Sequence, residues 1–175
     1  QALIGEEIEL GPFKYKVDEG LALRNSAFSF IDTALQHLLE KSGIQYIMNQ
    51  VLMESVTLIF RKYIYSLIAD PADDIQILSF QILNKLTQLA PLRLVSSVEE
   101  IVKSFEEILV KYEKSLGSKQ EGERVNDCIR AFLRAVQSLS KIEHIESSPR
   151  FKDFLQERIL KNEKLKEIYQ QIVTL

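Results

Sequence analysis

Apolar and polar residues alternate at the start of the chain, and then the period changes. Ile8 and Leu10 alternate with Glu7 and Glu9; Phe13, Tyr15 and Val17 alternate with Lys14 and Lys16; Gly11-Pro12 lies between the two arms. Period two on either side of a Gly-Pro pair is the pattern of a strand, a turn and a second strand. The acidic arm would face the basic arm, so cross-strand Glu–Lys pairs are available. An isolated two-stranded hairpin is marginal in water. This one has to lean on the helices or on a partner.

From residue 19 onward the pattern is helical. Asp18 is placed to cap a first helix, on which Leu23, Ala27, Phe30, Ile31, Ala34 and Leu38 recur as an apolar face. Ser42-Gly43 ends it. Residues 44–69 form a second helical stretch, long enough for two helices with a bend, and Asp70-Pro71 stops it. Asp73 or Asp74 caps a third helix over residues 75–90, with Ile75, Leu78, Ile82, Leu86 and Leu89 on one side, and Pro91 marks the next break. A fourth region runs over residues 92–115. A capping box of Ser97 and Glu100 within it would split off residues 92–96. The polar stretch 116–123 is a linker, and a fifth helix covers residues 124–141. Ser148 then Pro149 reads as a cap followed by a first-turn proline. Two short helices follow, over 149–160 and 163–173, the last capped by Asn162.

The expectation is therefore an all-α chain of about seven helices with short connections, which make antiparallel pairs, preceded by a β-hairpin. Three segments echo one another: LRNSAF from Leu23, IQILSF from Ile75 and IRAFL from Ile129. Each follows an acidic residue within four positions and opens the inner helix of a pair, at spacings of 52 and 54 residues. HEAT-type repeats run closer to about 40–47 residues. The echo alone leaves a solenoid and an irregular bundle both open.

Composition narrows the classes. The 175 residues suit one domain, with 46% hydrophobic residues for a core and only four prolines and six glycines. The 22 basic and 25 acidic residues leave a net charge of −3, which is no footprint for nucleic acid. The apolar stretch 44–69 is interrupted by Gln45, Asn49, Gln50, Glu54, Arg61 and Lys62, too many polar groups for a membrane span. No signal peptide is evident. Cys128 is the single cysteine, so no intramolecular disulfide forms, which fits a cytosolic or nuclear compartment. The chain begins with Gln1 rather than methionine, the start expected of a processed or excised piece, or of a tag remnant.

No catalytic constellation is expected. His37 and His144 have no second His or Cys at ligand spacing. Cys128 sits in a helical NDCIRAF segment and reads as a small buried apolar residue rather than a nucleophile. Gly117 and Gly122 match no phosphate loop. Asp73-Asp74 and Glu99-Glu100 stand at helix starts, where the helix dipole favours them. Phe28, Phe80, Phe105, Phe132 and Phe154 fall at core positions of helices. Phe13 and Tyr15 have two readings, packing on the first helix pair or anchoring a partner. No cofactor, metal or small-molecule substrate is expected.

The stretch LGPFKYKVDEGLALRNSAF resembles the carboxy-terminal, TATA-binding-protein-interacting domain of the cullin-associated and neddylation-dissociated family. It carries that family's Gly11-Pro12-Phe13-Lys14 turn, Val17-Asp18, Glu19, Gly20-Leu21, Arg24 and Ala27-Phe28. The segments DIQILSFQILNKLTQLAP and SPRFKDFLQERILKNEKLKEIYQQI extend the resemblance over nearly the whole chain, while residues 44–65 look longer than their counterpart and the linker 116–123 follows its own sequence. The resemblance implies HEAT-like antiparallel helix pairs at the end of an α-solenoid, with residues 1–18 as a hairpin region and 19–175 helical. It also implies a non-enzymatic module that grips the amino-terminal region of an unneddylated cullin, which carries its RING subunit in the full-length context. Competing with the substrate adaptor, the module would regulate receptor exchange in cullin-RING ubiquitin ligases, in cytoplasm and nucleus. The hairpin residues Ile8, Leu10, Phe13, Lys14, Tyr15, Lys16 and Val17 would then meet the partner. Two other roles stay open: a structural cap of the solenoid, with a polar outer face at residues 162–171, or a scaffold for the basal transcription machinery.

Overall fold

The structure is a computed structural model that describes residues 7–10, 13–16, 18–40, 55, 58, 62, 63, 68–116 and 123–174, with the side chains of residues 7–10, 13–16 and 146 excluded. Two four-residue strands come first, β1 (Glu7–Leu10) and β2 (Phe13–Lys16). They pair antiparallel, Glu7 opposite Lys16, Ile8 opposite Tyr15, Glu9 opposite Lys14 and Leu10 opposite Phe13.

The helices are α1 (Leu21–Glu40), α2 (Asp73–Leu89), α3 (Pro91–Val95), α4 (Val98–Leu116), α5 (Glu123–Ser140), α6 (Pro149–Asp153) and α7 (Glu163–Val173). A 3₁₀ turn at Ile145–Ser147 precedes α6, and a π-helical segment, Phe154–Ile159, continues it. Ser55, Leu58, Lys62, Tyr63 and Ile68 are also helical; the rest of the expected second helix, the stop at Ser42-Gly43 and the linker lie outside the described residues.

Contacts between ends fix the directions. Arg24, early in α1, meets Asp70, just ahead of α2, and Lys85, late in α2, meets Asp32, midway along α1. Hence α1 and α2 run side by side in one direction. Arg124 at the start of α5 meets Asp74 at the start of α2, so α5 runs the same way. Late in both helices, Ser140 of α5 and Tyr169 of α7 lie 3.4 Å apart. These four helices form one parallel layer. The second layer runs opposite: Tyr112, late in α4, meets Gln76, early in α2. Beside α4, Glu106 and Glu113 take Arg150 and Arg158 of α6 and the π segment, in the same order. The segments LRNSAF, IQILSF and IRAFL thus lie on three neighbouring helices of one layer, the first two in the opening turn and IRAFL from the seventh residue of α5. This is the all-α, HEAT-like arrangement of antiparallel pairs stacked side by side.

The core lies between the layers. Phe80, Phe105, Phe132, Phe151 and Phe154 are all buried. Phe132 is the hub, with ring centroids 5.1 Å from Phe105, 5.7 Å from Phe80 and Tyr112, and 6.4 Å from Phe154. All four of these pairs meet edge to face, an arrangement the ring quadrupoles favour. Phe28 is half-buried against this core.

Several sequence expectations need correction. Only part of the α1 stripe meets the core: Ile31 and Leu38 pack against it, but Leu23 is 73% exposed and Phe30 74%, and Ala27 is exposed beside them. Only Leu35 of α1 is fully buried. Helical period marks an apolar face but does not say what lies against it. Asp73 and Asp74 are not caps but first-turn residues of α2; the position before them is Ala72, whose amide is held by the Asp70 carboxylate at 2.9 Å. The split between α3 and α4 falls at Ser96-Ser97, yet the Ser97 hydroxyl donates back to the Arg93 carbonyl. Ser148 and Asn162 do cap α6 and α7, accepting the amides of Phe151 and Leu165 at 3.3 Å.

Candidate functional site

Antiparallel register puts directly opposed residues on the same face of a ribbon, and alternate residues on opposite faces. Positions 8, 10, 13 and 15 therefore share one face of the β1–β2 ribbon, and 7, 9, 14 and 16 share the other. The candidate residues Ile8, Leu10, Phe13 and Tyr15 are brought together at the apolar positions. Lys14 and Lys16 lie on the opposite face across from Glu9 and Glu7, and Val17 is outside the described residues.

Two residues beyond β2 the chain is tied down. Arg24 donates from Nη1 and Nη2 to the two carboxylate oxygens of Asp18, at 3.0 and 2.6 Å. The same guanidinium donates from Nε and Nη2 to Asp70, at 2.9 and 3.3 Å. One planar fork thus holds two carboxylates 52 residues apart in the chain, a geometry that lysine cannot reproduce. The paired Arg24 holds the Asp18 carboxyl below its ordinary value of 3.8, helped by the amides of Gly20 and Leu21. Conversely, Asp18 first and Asp70 next push the Arg24 guanidinium above its ordinary value.

Asp70 passes the restraint inward. It is only 7% exposed. Its backbone carbonyl accepts from Gln76 Nε2 at 2.6 Å, and Gln76 Oε1 accepts from the Tyr112 hydroxyl at 2.9 Å. Gln76 and Tyr112 are each 1% exposed. A chain of polar contacts therefore runs from Asp18 through α1 and α2 to α4. Nothing in sequence spacing pointed to it, because its members are 36 and 46 residues apart. The one available signal was Gln76, a polar residue set between Ile75 and Ile77.

The residues with possible chemistry are placed without a reaction centre. Cys128 is buried, and burial with Asp73 nearby pushes its thiol up to about 11. A buried thiol of that kind is inert at neutral pH. His37 and His144 are exposed, beside Glu40 and Glu143. Among the described residues no group of three or more His, Cys, Asp or Glu could hold a metal ion, and no helix is long and apolar enough to cross a membrane. At the far end of the layer, Glu163, Lys164, Lys166 and Glu167 of α7 are exposed while Leu165 and Tyr169 are buried.

Similar proteins have names that bear on this architecture. The chain is 29% identical over 156 residues to cullin-associated NEDD8-dissociated protein 1 of Dictyostelium discoideum, covering 87% of this chain and 11% of that protein. It is 31% identical over 148 residues to the Arabidopsis thaliana protein of the same name, covering 85% and 11%. Cullin-associated NEDD8-dissociated protein 2 of Rattus norvegicus is 27% identical over 169 residues, covering 95% and 12%. The chain thus spans about a ninth of the length of these relatives. The sequence model described as TATA-binding protein interacting (TIP20) matches residues 2–158, from β1 through the π segment. The chain belongs to the TATA-binding protein interacting (TIP20) family.

Proposed function

We propose that the chain is a non-enzymatic binding module of a cullin-regulating scaffold. It grips the amino-terminal region of an unneddylated cullin, and the β1–β2 hairpin occupies the surface that a substrate adaptor would otherwise take. The consequence is control of assembly and receptor exchange in cullin-RING ubiquitin ligases, in the cytoplasm and nucleus. The observation that carries this reading is the family match over residues 2–158, together with relatives named as cullin-associated. The physical support is the ribbon's register: four apolar positions share one face, where they would make a compact anchor of the kind that dominates interface energies. Lys14 and Lys16 add charge complementarity, which acts on rate and specificity more than on affinity.

The test is binding of this chain to an unmodified cullin amino-terminal domain, with and without adaptor, alongside Phe13→Ala/Tyr15→Ala. The proposal expects competition by adaptor and a loss of most affinity in the double variant. Equal binding by the variant would move the contact to a helical face and reject the hairpin role. A second reading, a capping end of the solenoid, is favoured by the charged outer face of α7. It predicts no competition with adaptor. The family's description makes a basal transcription factor the partner to include as a third arm.

A further inference from the structure

We infer that Arg24 is the positioning residue of the β1–β2 ribbon, fixing the angle at which the ribbon leaves the helical layer. The inference rests on the proposed role of the ribbon in partner binding, but its geometry stands by itself. Asp18 is the first described residue after β2. Both its carboxylate oxygens are held by Arg24, and its backbone carbonyl accepts the Leu21 amide at 3.1 Å. The chain two residues past the ribbon is therefore gripped by side chain and backbone at once. Arg24 itself cannot swing, because Nε and Nη2 are committed to Asp70, and Asp70 is locked by the Ala72 amide and by Gln76.

The division of labour follows from exposure. Asp18 and Arg24 keep 28% and 30% of their side-chain surface in water, whereas Asp70 keeps 8%. A pair that keeps this much contact with water contributes modestly to folding. A bidentate fork nevertheless fixes direction, since two parallel hydrogen bonds define a plane. The Asp18 half thus sets orientation with small effect on stability, and the Asp70 half holds the helices together. A solenoid partner contacted by both ribbon and helices needs the two at a constant angle. Each degree of wander lowers the fraction of molecules able to make both contacts, and apparent affinity falls in proportion.

The experiment measures orientation and binding separately. Spin labels are placed at Glu9→Cys on β1 and Glu107→Cys on α4, the buried Cys128 being left native, and the distance distribution is recorded by pulsed electron resonance. The parent chain is expected to give one narrow distribution. Asp18→Asn broadens it with only a small fall in the thermal midpoint; Arg24→Ala broadens it and lowers the midpoint clearly; Arg24→Lys fails to restore the narrow form. In the cullin-domain assay the competent fraction drops, and affinity with it by about tenfold for Asp18→Asn. If all variants keep the parent's distribution, the inference is overturned, whatever they bind. If the parent does not bind the cullin domain yet the distributions broaden as stated, the proposed function falls and the positioning role stands.

Discussion

Replacing Tyr112 with phenylalanine removes one oxygen from the middle of the molecule and little else. The ring keeps its place beside Phe132, so no cavity of consequence forms. The Gln76 Oε1, however, loses the donor that sits 2.9 Å away. Both residues are 1% exposed, so water cannot replace the lost partner. A buried acceptor left unpaired costs about 1–3 kcal/mol. With a urea dependence of about 2 kcal/mol per molar for a chain of this size, the midpoint should fall by roughly 0.5–1.5 M at unchanged slope. The companion variant is Gln76→Met with Tyr112→Phe, which removes this donor and acceptor together; the loss of the Gln76–Asp70 bond is common to it and to Gln76→Met alone. Taking out both partners can be close to neutral, so the double variant should cost less than the sum of the singles, by about 0.5–3 kcal/mol of coupling. Circular dichroism in urea reads all four proteins. A midpoint for Tyr112→Phe within about 0.2 M of the parent, against the slope just given, would refute the reasoning, as would simple additivity in the double variant.

Other outcomes follow from the same structure. Phe132→Ala empties the hub of four aromatic contacts and should cost about 3–5 kcal/mol in thermal or urea unfolding. Cys128 should resist a maleimide at neutral pH in the folded chain and react once the chain is unfolded in urea, because its thiol is buried and pushed up to about 11. The same shift weakens the fold in alkali. The unfolded thiol ionises above 9.0 while the folded one keeps its proton, so stability should fall as pH rises from 9.0 toward about 11, measured by urea midpoints. Asp18 has the opposite sign. Its folded value lies below 3.8, so its contribution is present above that pH and is lost as pH falls through the lowered value; Asp18→Asn should flatten that part of the acid titration.

Sequence pattern located the helices well because their limits are chemical. Pro91, the Ser148-Pro149 pair and Asn162 each restrict the backbone or supply an acceptor at one position, and α3, α6 and α7 begin there. The aromatic core was legible for the same reason, since Phe80, Phe105, Phe132 and Phe154 recur with the helical period. The α1 stripe misled because Leu23, Ala27 and Phe30 are as periodic as any core face. Periodicity is a property of one helix, whereas burial belongs to two. The anchoring of the candidate site was illegible for a related reason. Asp18 is read locally as a cap, and its carboxylate does meet the amides of Gly20 and Leu21. Its strongest tie, to an arginine that also holds Asp70, depends on how α1 lies against α2, and no local pattern encodes that.

The π-helical segment changes how this molecule can tolerate drift in chain length. Arg150 and Arg158 stand eight residues apart, but they pair with Glu106 and Glu113, which stand seven apart. At equal rise and turn the surplus residue would carry the second arginine about 1.5 Å along and ~100° around from the position facing Glu113. The five-residue turn closed by the Leu160 amide on the Leu155 carbonyl takes up the surplus residue. It also turns Ile159 inward with Phe151 and Phe154, all three being buried. An insertion that would shear an ordinary helix out of step is absorbed within a single turn. The face that α6 and its continuation present to α4 thereby stays in step with a helix that spans the same stretch in one residue fewer.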